Sequence, residues 1–213
     1  MQITAFIDVL SHWCLAATPA LEALSATLAD DLELEIVIAP LADGAPIGFD
    51  PEAERWYYRR GTLAYGTTLT SAWYESREVR TWFANQAVAA AIRLGADPVP
   101  LVRRTMREAM VSGAPLGRES EAVRVVSEIA GLSEANVREQ MSRPSLTEAL
   151  LAGNARLAEI GCGERPSWHL RSATGDFAIL QGVWQAEAIL PLAQALLADE
   201  RAYQKAGPPP AFS

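Results

Sequence analysis

The chain has 213 residues, half of them hydrophobic and 21% charged, which is ample apolar material for one domain or for one domain carrying a large insertion. Its formal net charge of -8 repels phosphate backbones and anionic lipid, so nucleic acid and membrane surfaces are poor candidate partners unless a local basic patch forms. No apolar run approaches the roughly 18–20 residues of a membrane span and no secretory leader precedes the first strand, so a cytoplasmic protein is expected.

Residues 3–10 are nearly all apolar, as in a strand buried on both faces. A turn over Ser11–Trp13 and a helix over about 14–30 should follow, then a strand over about 32–39. In that strand Leu34, Ile36 and Ile38 alternate with Glu33 and Glu35. Strand, helix, strand makes a βαβ unit with a right-handed crossover. From about Asp50 to Ile160 the signals are helical. A helix over about 78–94 presents Phe83, Ala87, Ala91 and Leu94, with Gly95 as its stop. Asp97-Pro98 reads as an N-cap followed by proline at the first helical position, and Val102, Met106, Ala109 and Met110 form the stripe of a helix ending at Gly113. Shorter helices are expected near 120–131 and 134–142. Ser145-x-x-Glu148 reads as the capping box of a helix running to Ile160 and closed by Gly161.

Strand character returns at 167–171 and 177–180 around the turn at Thr174-Gly175. A terminal helix over about 185–205 precedes a frayed Pro208-Pro209-Pro210 tail. The order βαβ, helices, ββα is that of an α/β thioredoxin fold with a large all-helical insertion. It divides the chain into a thioredoxin-like domain of residues 1–48 and 161–213 and an inserted helical subdomain of residues 49–160.

Any chemistry is expected at the βα turn, because a helix start directs unpaired N–H groups and partial positive charge outward. Here the turn is Ser11-His12-Trp13-Cys14. The segment Val9-Leu10-Ser11-His12-Trp13-Cys14-Leu15-Ala16-Ala17-Thr18-Pro19 resembles the active-site segment of the DsbA family. There a Cys-Pro-x-Cys motif is followed five residues later by a helix proline, a spacing that Cys14 and Pro19 keep. Gly161-Cys162-Gly163-Glu164-Arg165-Pro166-Ser167 resembles the family's approach to a cis-proline. Gln181-Gly182-Val183-Trp184-Gln185 resembles its turn into the terminal helix. The inserted helices are most similar to the FrnE-type branch. The resemblance implies a thiol-linked oxidoreductase with a cis Arg165–Pro166 bond, Trp13 as a site wall and a possible homodimer.

The departures from that pattern redirect the chemistry. Ser11 stands where the family has its attacking cysteine, and His12 where it has proline. A hydroxyl cannot form a mixed disulfide, so dithiol–disulfide exchange by the standard route is excluded, with Cys14 left in the resolving position. Asp8-Val9-Leu10-Ser11 is similar to the serine turn of kappa-class glutathione transferases and 2-hydroxychromene-2-carboxylate isomerases, where the hydroxyl donates to the glutathione sulfur. This likeness implies glutathione as the bound thiol, held by Ser11, Trp13, Arg165, Pro166 and Ser167, with a small electrophile as second substrate. Ser11, Cys14 and His12 are the catalytic candidates, and no metal is expected.

Plainer alternatives stand beside these. Ser11 suits a simple helix cap. Cys14 suits either a buried small hydrophobe or a reachable thiol. His12 reads as an exposed turn residue or a proton donor. Arg165 would hold a ligand carboxylate or pair with a surface acid. His169 reads as a hydrogen-bonded core residue, and Arg59-Arg60 and Arg103-Arg104 as solvated helix faces. Trp56, Tyr57, Tyr58, Tyr65, Trp73 and Tyr74 would line a cleft, a core or a dimer interface. A Cys14–Cys162 disulfide is not expected. Three functions remain open: a glutathione-dependent transferase, isomerase or reductase, a single-cysteine oxidoreductase using Cys14, and a non-catalytic binding protein.

Overall fold

The computed structural model describes residues 1–27, 31–45, 51–74 and 80–207. Its sheet has four strands: β1 (Gln2–Ile7), β2 (Glu33–Ile38), β3 (Ser167–Arg171) and β4 (Phe177–Gln181). Their order is β2-β1-β3-β4. β1 runs parallel to β2, pairing Gln2 with Glu33 through Ile7 with Ile38, and antiparallel to β3, pairing Phe6 with Ser167. β4 is antiparallel to β3.

The apolar run at the start of the chain has a direct cause. Ile3 and Ala5 pack into a core shared with the terminal helix, Phe6 packs on the other face with Val37 and Leu157, and Ile7 joins a third cluster. β1 is therefore covered on both sides, and it ends at Ile7 rather than Leu10.

The first helix differs from expectation at both ends of its first turn. It begins at His12, with Ser11 as the cap, and it breaks at Ala17 into α1 (His12–Ala16) and α2 (Thr18–Thr27). Pro19 explains the break. It has no N–H for the Leu15 carbonyl, which instead accepts the Thr18 hydroxyl at 2.8 Å. The expected end near residue 30 lies outside the described residues.

The helical block comprises α3 (Pro51–Tyr65), α4 (Trp82–Arg93), α5 (Pro98–Met110), α6 (Glu119–Ala130), α7 (Glu134–Met141) and α8 (Pro144–Glu159), and the chain closes with α9 (Ala186–Ala206). The α5 reading holds, with the Asp97 side chain accepting from Val99 N–H and Val102, Met106, Ala109 and Met110 fully buried. Two helix readings need correction. The buried face of α4 is Ala84, Ala87, Val88 and Ala91, and Leu94 is 37% exposed; its expected start near Glu78 lies outside the described residues. The Ser145 capping box does not form. α8 starts at Pro144, a residue suited to the first helical position, so Ser145 falls inside the first turn and accepts from Arg93. The Pro208–Pro210 tail also lies outside the described residues.

The largest apolar cluster joins the start of the chain to its middle. Ile7, Val9, Leu10, Cys14 and Leu15 pack with Val102, Met106, Met110, Val123 and Val126. The helices of the insertion therefore form the floor beneath the Ser11 turn.

Candidate active site

The turn after β1 is built on a buried carboxylate. Asp8 Oδ1 accepts the Leu10 N–H at 2.7 Å and Oδ2 accepts the Leu41 N–H at 2.7 Å, while Asn85 Oδ1 accepts the Val9 N–H at 3.0 Å. Asp8 and Asn85 are both 0% exposed. Burial pushes the Asp8 carboxyl above its ordinary range, against the opposing pull of the Leu41 and Leu10 N–H groups. These two residues join β1, the segment after β2 and α4 at one point. Sequence reasoning passed over them, although an acid inside the apolar run Ile3–Leu10 was a usable signal.

Ser11 caps α1. Its N–H donates to the Asp8 carbonyl at 3.1 Å and its Oγ accepts the Cys14 N–H at a long 3.5 Å. The same hydroxyl lies close enough to the Cys14 thiol to pull its pKa down by hydrogen bonding, against the larger effect of burial. Cys14 is 0% exposed, and burial pushes its thiol up to about 12. A protonated, enclosed thiol is no nucleophile, so the reachable-thiol alternative fails at this residue. Cys162 is also free and buried, but in a different cluster with Phe6, Val37 and Leu157.

His12 is not the exposed turn residue expected. Its ring lies 4.9 Å from Trp13, 6.3 Å from Tyr57 and 5.6 Å from Tyr58, centroid to centroid. α3 approaches it with a bare backbone, and a Cβ added at Gly61 would fall 2.6 Å from His12 Cδ2. Burial, assisted by the Arg60 charge, pulls the imidazole down to about 4, so it is neutral at pH 7. Its Nε2 is buried and finds no hydrogen-bond partner among the described residues.

The opposite wall is the loop before β3. The Arg165–Pro166 peptide is cis, and the Pro166 carbonyl accepts the Gly182 N–H at 2.9 Å. In the register of β1 with β3, this loop meets the same end of the sheet as the Ser11 turn. Neither expectation for Arg165 holds. Its guanidinium donates to the carbonyls of Ala39 at 2.8 Å, Gly163 at 2.9 Å and Pro40 at 3.3 Å, and to Asn154 Oδ1 at 2.5 Å. It staples the loop to the end of β2 and to α8, so its side chain is not a ligand's carboxylate clamp. Its backbone N–H and C=O carry no hydrogen bond among the described residues. Ser167 is likewise committed, its hydroxyl donating to the Glu164 carbonyl at 2.8 Å, and it is fully buried.

The Trp13 ring packs 6.2 Å from that of Trp184, and the Arg60 Cζ lies 4.8 Å from the Trp13 ring centroid and 5.8 Å from that of Trp56. The remaining aromatics divide. Tyr58 and Trp73 are buried and hydrogen-bonded to each other, and the Tyr65 hydroxyl accepts from Arg107. Trp56 stays 55% exposed, and the side chain of Tyr74 lies outside the described residues. His169 is only half-buried, set edge-on to Phe177 on a partly open sheet face rather than in the core. Among the described residues, no three His, Cys, Asp or Glu side chains gather as a metal site would require, and no helix is long and apolar enough to cross a membrane.

A βαβ–ββα sheet interrupted by helices, with a cis-proline facing the α1 turn, defines the DsbA-like thioredoxin fold with a helical insertion. Solved structures of that fold match nearly the whole chain. A Nitrosomonas europaea protein provisionally described as a protein disulfide isomerase superposes with a TM-score of 0.77 at 17% identity, over 93% of this chain and 98% of that one. The cytosolic disulfide reductase DsbM of Pseudomonas aeruginosa gives 0.71 at 16% identity, over 97% and 100%. A 2-hydroxychromene-2-carboxylate isomerase gives 0.67 at 20% identity, over 98% and 100%. At such identities the likeness establishes the fold. No protein-family model matches the sequence, and no curated protein does.

Proposed function

We propose that the protein binds glutathione, or a small thiol like it, in the cytoplasm and uses it for transfer to, or isomerisation or reduction of, a small electrophile. The observation that carries this reading is a Ser11 hydroxyl at the start of α1, held only by a long bond from Cys14 N–H, above a Cys14 thiol that is enclosed and protonated. The site offers a hydrogen-bond donor for sulfur and no reactive sulfur of its own. A hydroxyl donating to a bound thiol stabilises the thiolate, because hydrogen bonds to a charged acceptor are about twice as strong as neutral ones.

Two further features support this. The N–H and C=O of Arg165 beside the cis-proline, which carry no hydrogen bond among the described residues, suit the backbone of an extended peptide. DsbM, a protein of this fold, has been solved with GSH. The single-cysteine alternative draws no support from a fully buried Cys14.

Calorimetric titration with reduced glutathione tests the reading. Millimolar or tighter binding to the wild type, weakened about tenfold or more by Ser11→Ala, is expected; ΔΔG for the lost charge-assisted bond would then be about 1.4 kcal/mol. Absence of binding to the wild type would overturn it.

A further inference from the structure

Arg165 is bound to both walls of the site. Four of its five guanidinium N–H groups are used, each on an uncharged acceptor: the carbonyls of Ala39, Gly163 and Pro40 and the amide oxygen of Asn154. Its positive charge is therefore held half-buried, with no carboxylate in contact among the described residues.

The Pro40 carbonyl and the Leu41 N–H are the two ends of one peptide group. Arg165 Nη2 donates to its oxygen at 3.3 Å, and Asp8 Oδ2 accepts its N–H at 2.7 Å. The Ala39 carbonyl takes Arg165 Nε at 2.8 Å, while the Ala39 N–H donates to the Ile7 carbonyl at 2.8 Å. Asp8 also accepts the Leu10 N–H on Oδ1 and the Ser11 N–H on its main-chain carbonyl. A cation on the cis-proline loop and the carboxyl group under Ser11 thus polarise one peptide from opposite ends, and hydrogen bonds in such a chain strengthen one another. Burial pulls the guanidinium below its ordinary value, opposed by Asp8, Cys14 and Asp43, and it remains charged at pH 7. The other titratable groups facing it or the Ser11 turn are Asp8, His12, Cys14, Asp43, Arg60 and Glu164. Near pH 7 His12 is neutral and Cys14 protonated, while Asp43, Arg60 and Glu164 are exposed and screened by solvent. Asp8 and Arg165 are left as the opposed charges behind the turn.

We infer that Arg165 is a positioning residue of the thiol site: it ties the cis-proline loop to the Ser11 turn, and its half-buried charge favours the anionic form of a sulfur held at residue 11. The inference rests on the thiol reading for the identity of that sulfur, though not for the field at the turn.

The test reads that field with the thiol introduced by Ser11→Cys in the full-length protein, kept reduced by a phosphine. Its acidity is taken from the pH dependence of its alkylation by iodoacetamide. Cys14 and Cys162 are enclosed, so the introduced thiol alone should react in the folded state. Ser11→Cys is compared by itself and combined with Arg165→Gln, Arg165→Lys or Arg201→Gln. The last removes a charge from an exposed pair with Asp31 and controls for net charge. Arg165→Gln should make the thiol about tenfold less acidic, and Arg165→Lys and Arg201→Gln should leave it within about twofold. Unchanged acidity with Arg165→Gln, or a loss as large with Arg165→Lys or Arg201→Gln, overturns the proposal. Arg165→Met replaces Arg165→Gln if that variant does not fold, and failure of both to fold makes the arginine structural only and overturns it as well. Reduced glutathione titrated into the wild type keeps the two readings apart. An acidity that follows the Arg165 charge without glutathione binding strikes the thiol reading alone, and glutathione binding with an acidity indifferent to Arg165 strikes this proposal alone.

Discussion

Replacing Gly153 with alanine would test how closely α8 is held to the sheet, and through it how the cis-proline loop is positioned. A Cβ at this position falls 2.6 Å from the Ile38 carbonyl oxygen and 3.0 Å from Val37 Cγ1. The obstacle is strand backbone, which cannot swing aside as a side chain could, so the helix itself must retreat. Alanine in a helix interior gains up to about 1 kcal/mol over glycine. Overpacking of this kind costs about 1–3 kcal/mol. The retreat also strains the neighbouring Asn154, which donates to the Pro40 carbonyl at 3.0 Å and accepts from Arg165, and a weakened hydrogen bond adds about 1 kcal/mol. The balance is a loss of about 1–3 kcal/mol, or a fall in Tm of about 2–12 °C for a chain of this size. Thermal melts of Gly153→Ala against the wild type measure it. Gly163→Ala, where a Cβ meets open space, is the control and should stay within about 0.5 kcal/mol. If Gly153→Ala melts at or above the wild-type temperature, α8 does not rest on the Ile38 carbonyl and the reasoning fails.

Two other outcomes follow from burial at the site. A thiol reagent at pH 8 should modify neither cysteine in the folded protein and both of them after denaturation, since Cys14 and Cys162 are enclosed; rapid reaction of one thiol in the native state would contradict the assigned inertness of Cys14. His12 should impose acid sensitivity. Its folded value of about 4 lies below the ordinary 6.5, so the stability it contributes is present above pH 6.5 and is lost as pH falls towards 4. With the ring not wholly enclosed, that contribution is at most about 3 kcal/mol. Asp8, raised by burial, acts in the opposite sense, so the informative comparison is urea denaturation of the wild type and His12→Gln at pH 7 and pH 4.5. The gap between them should shrink on acidification, and a constant gap would refute a buried neutral His12.

What could be read along the chain was what neighbouring residues decide. The apolar run before Ser11 announced a strand covered on both faces, Asp97-Pro98 placed a helix start, and the stripe from Val102 to Met110 named a buried face. The Ser145 box failed within the same local logic, because Pro144 offered a competing start one residue earlier and won. The element order was enough for the thioredoxin fold, and a serine in place of the expected cysteine was enough to set aside dithiol–disulfide exchange by the standard route.

The state of each site residue was decided only in three dimensions. Arg165 gave no sign in its own segment that it would be spent on the Ala39 carbonyl 126 positions away. Cys14 occupies a motif position that is reactive or inert according to what covers it, and the cover comes from the insertion. His12 owes its neutrality to Tyr57, Tyr58 and Gly61, and Arg60 owes its place at the site to Trp13, all by contacts between α1 and α3. Backbone preference and hydrophobic period act over a few residues and so are written in the chain. Desolvation and charge pairing depend on which distant groups fill the surrounding space, and that is settled only when the chain packs.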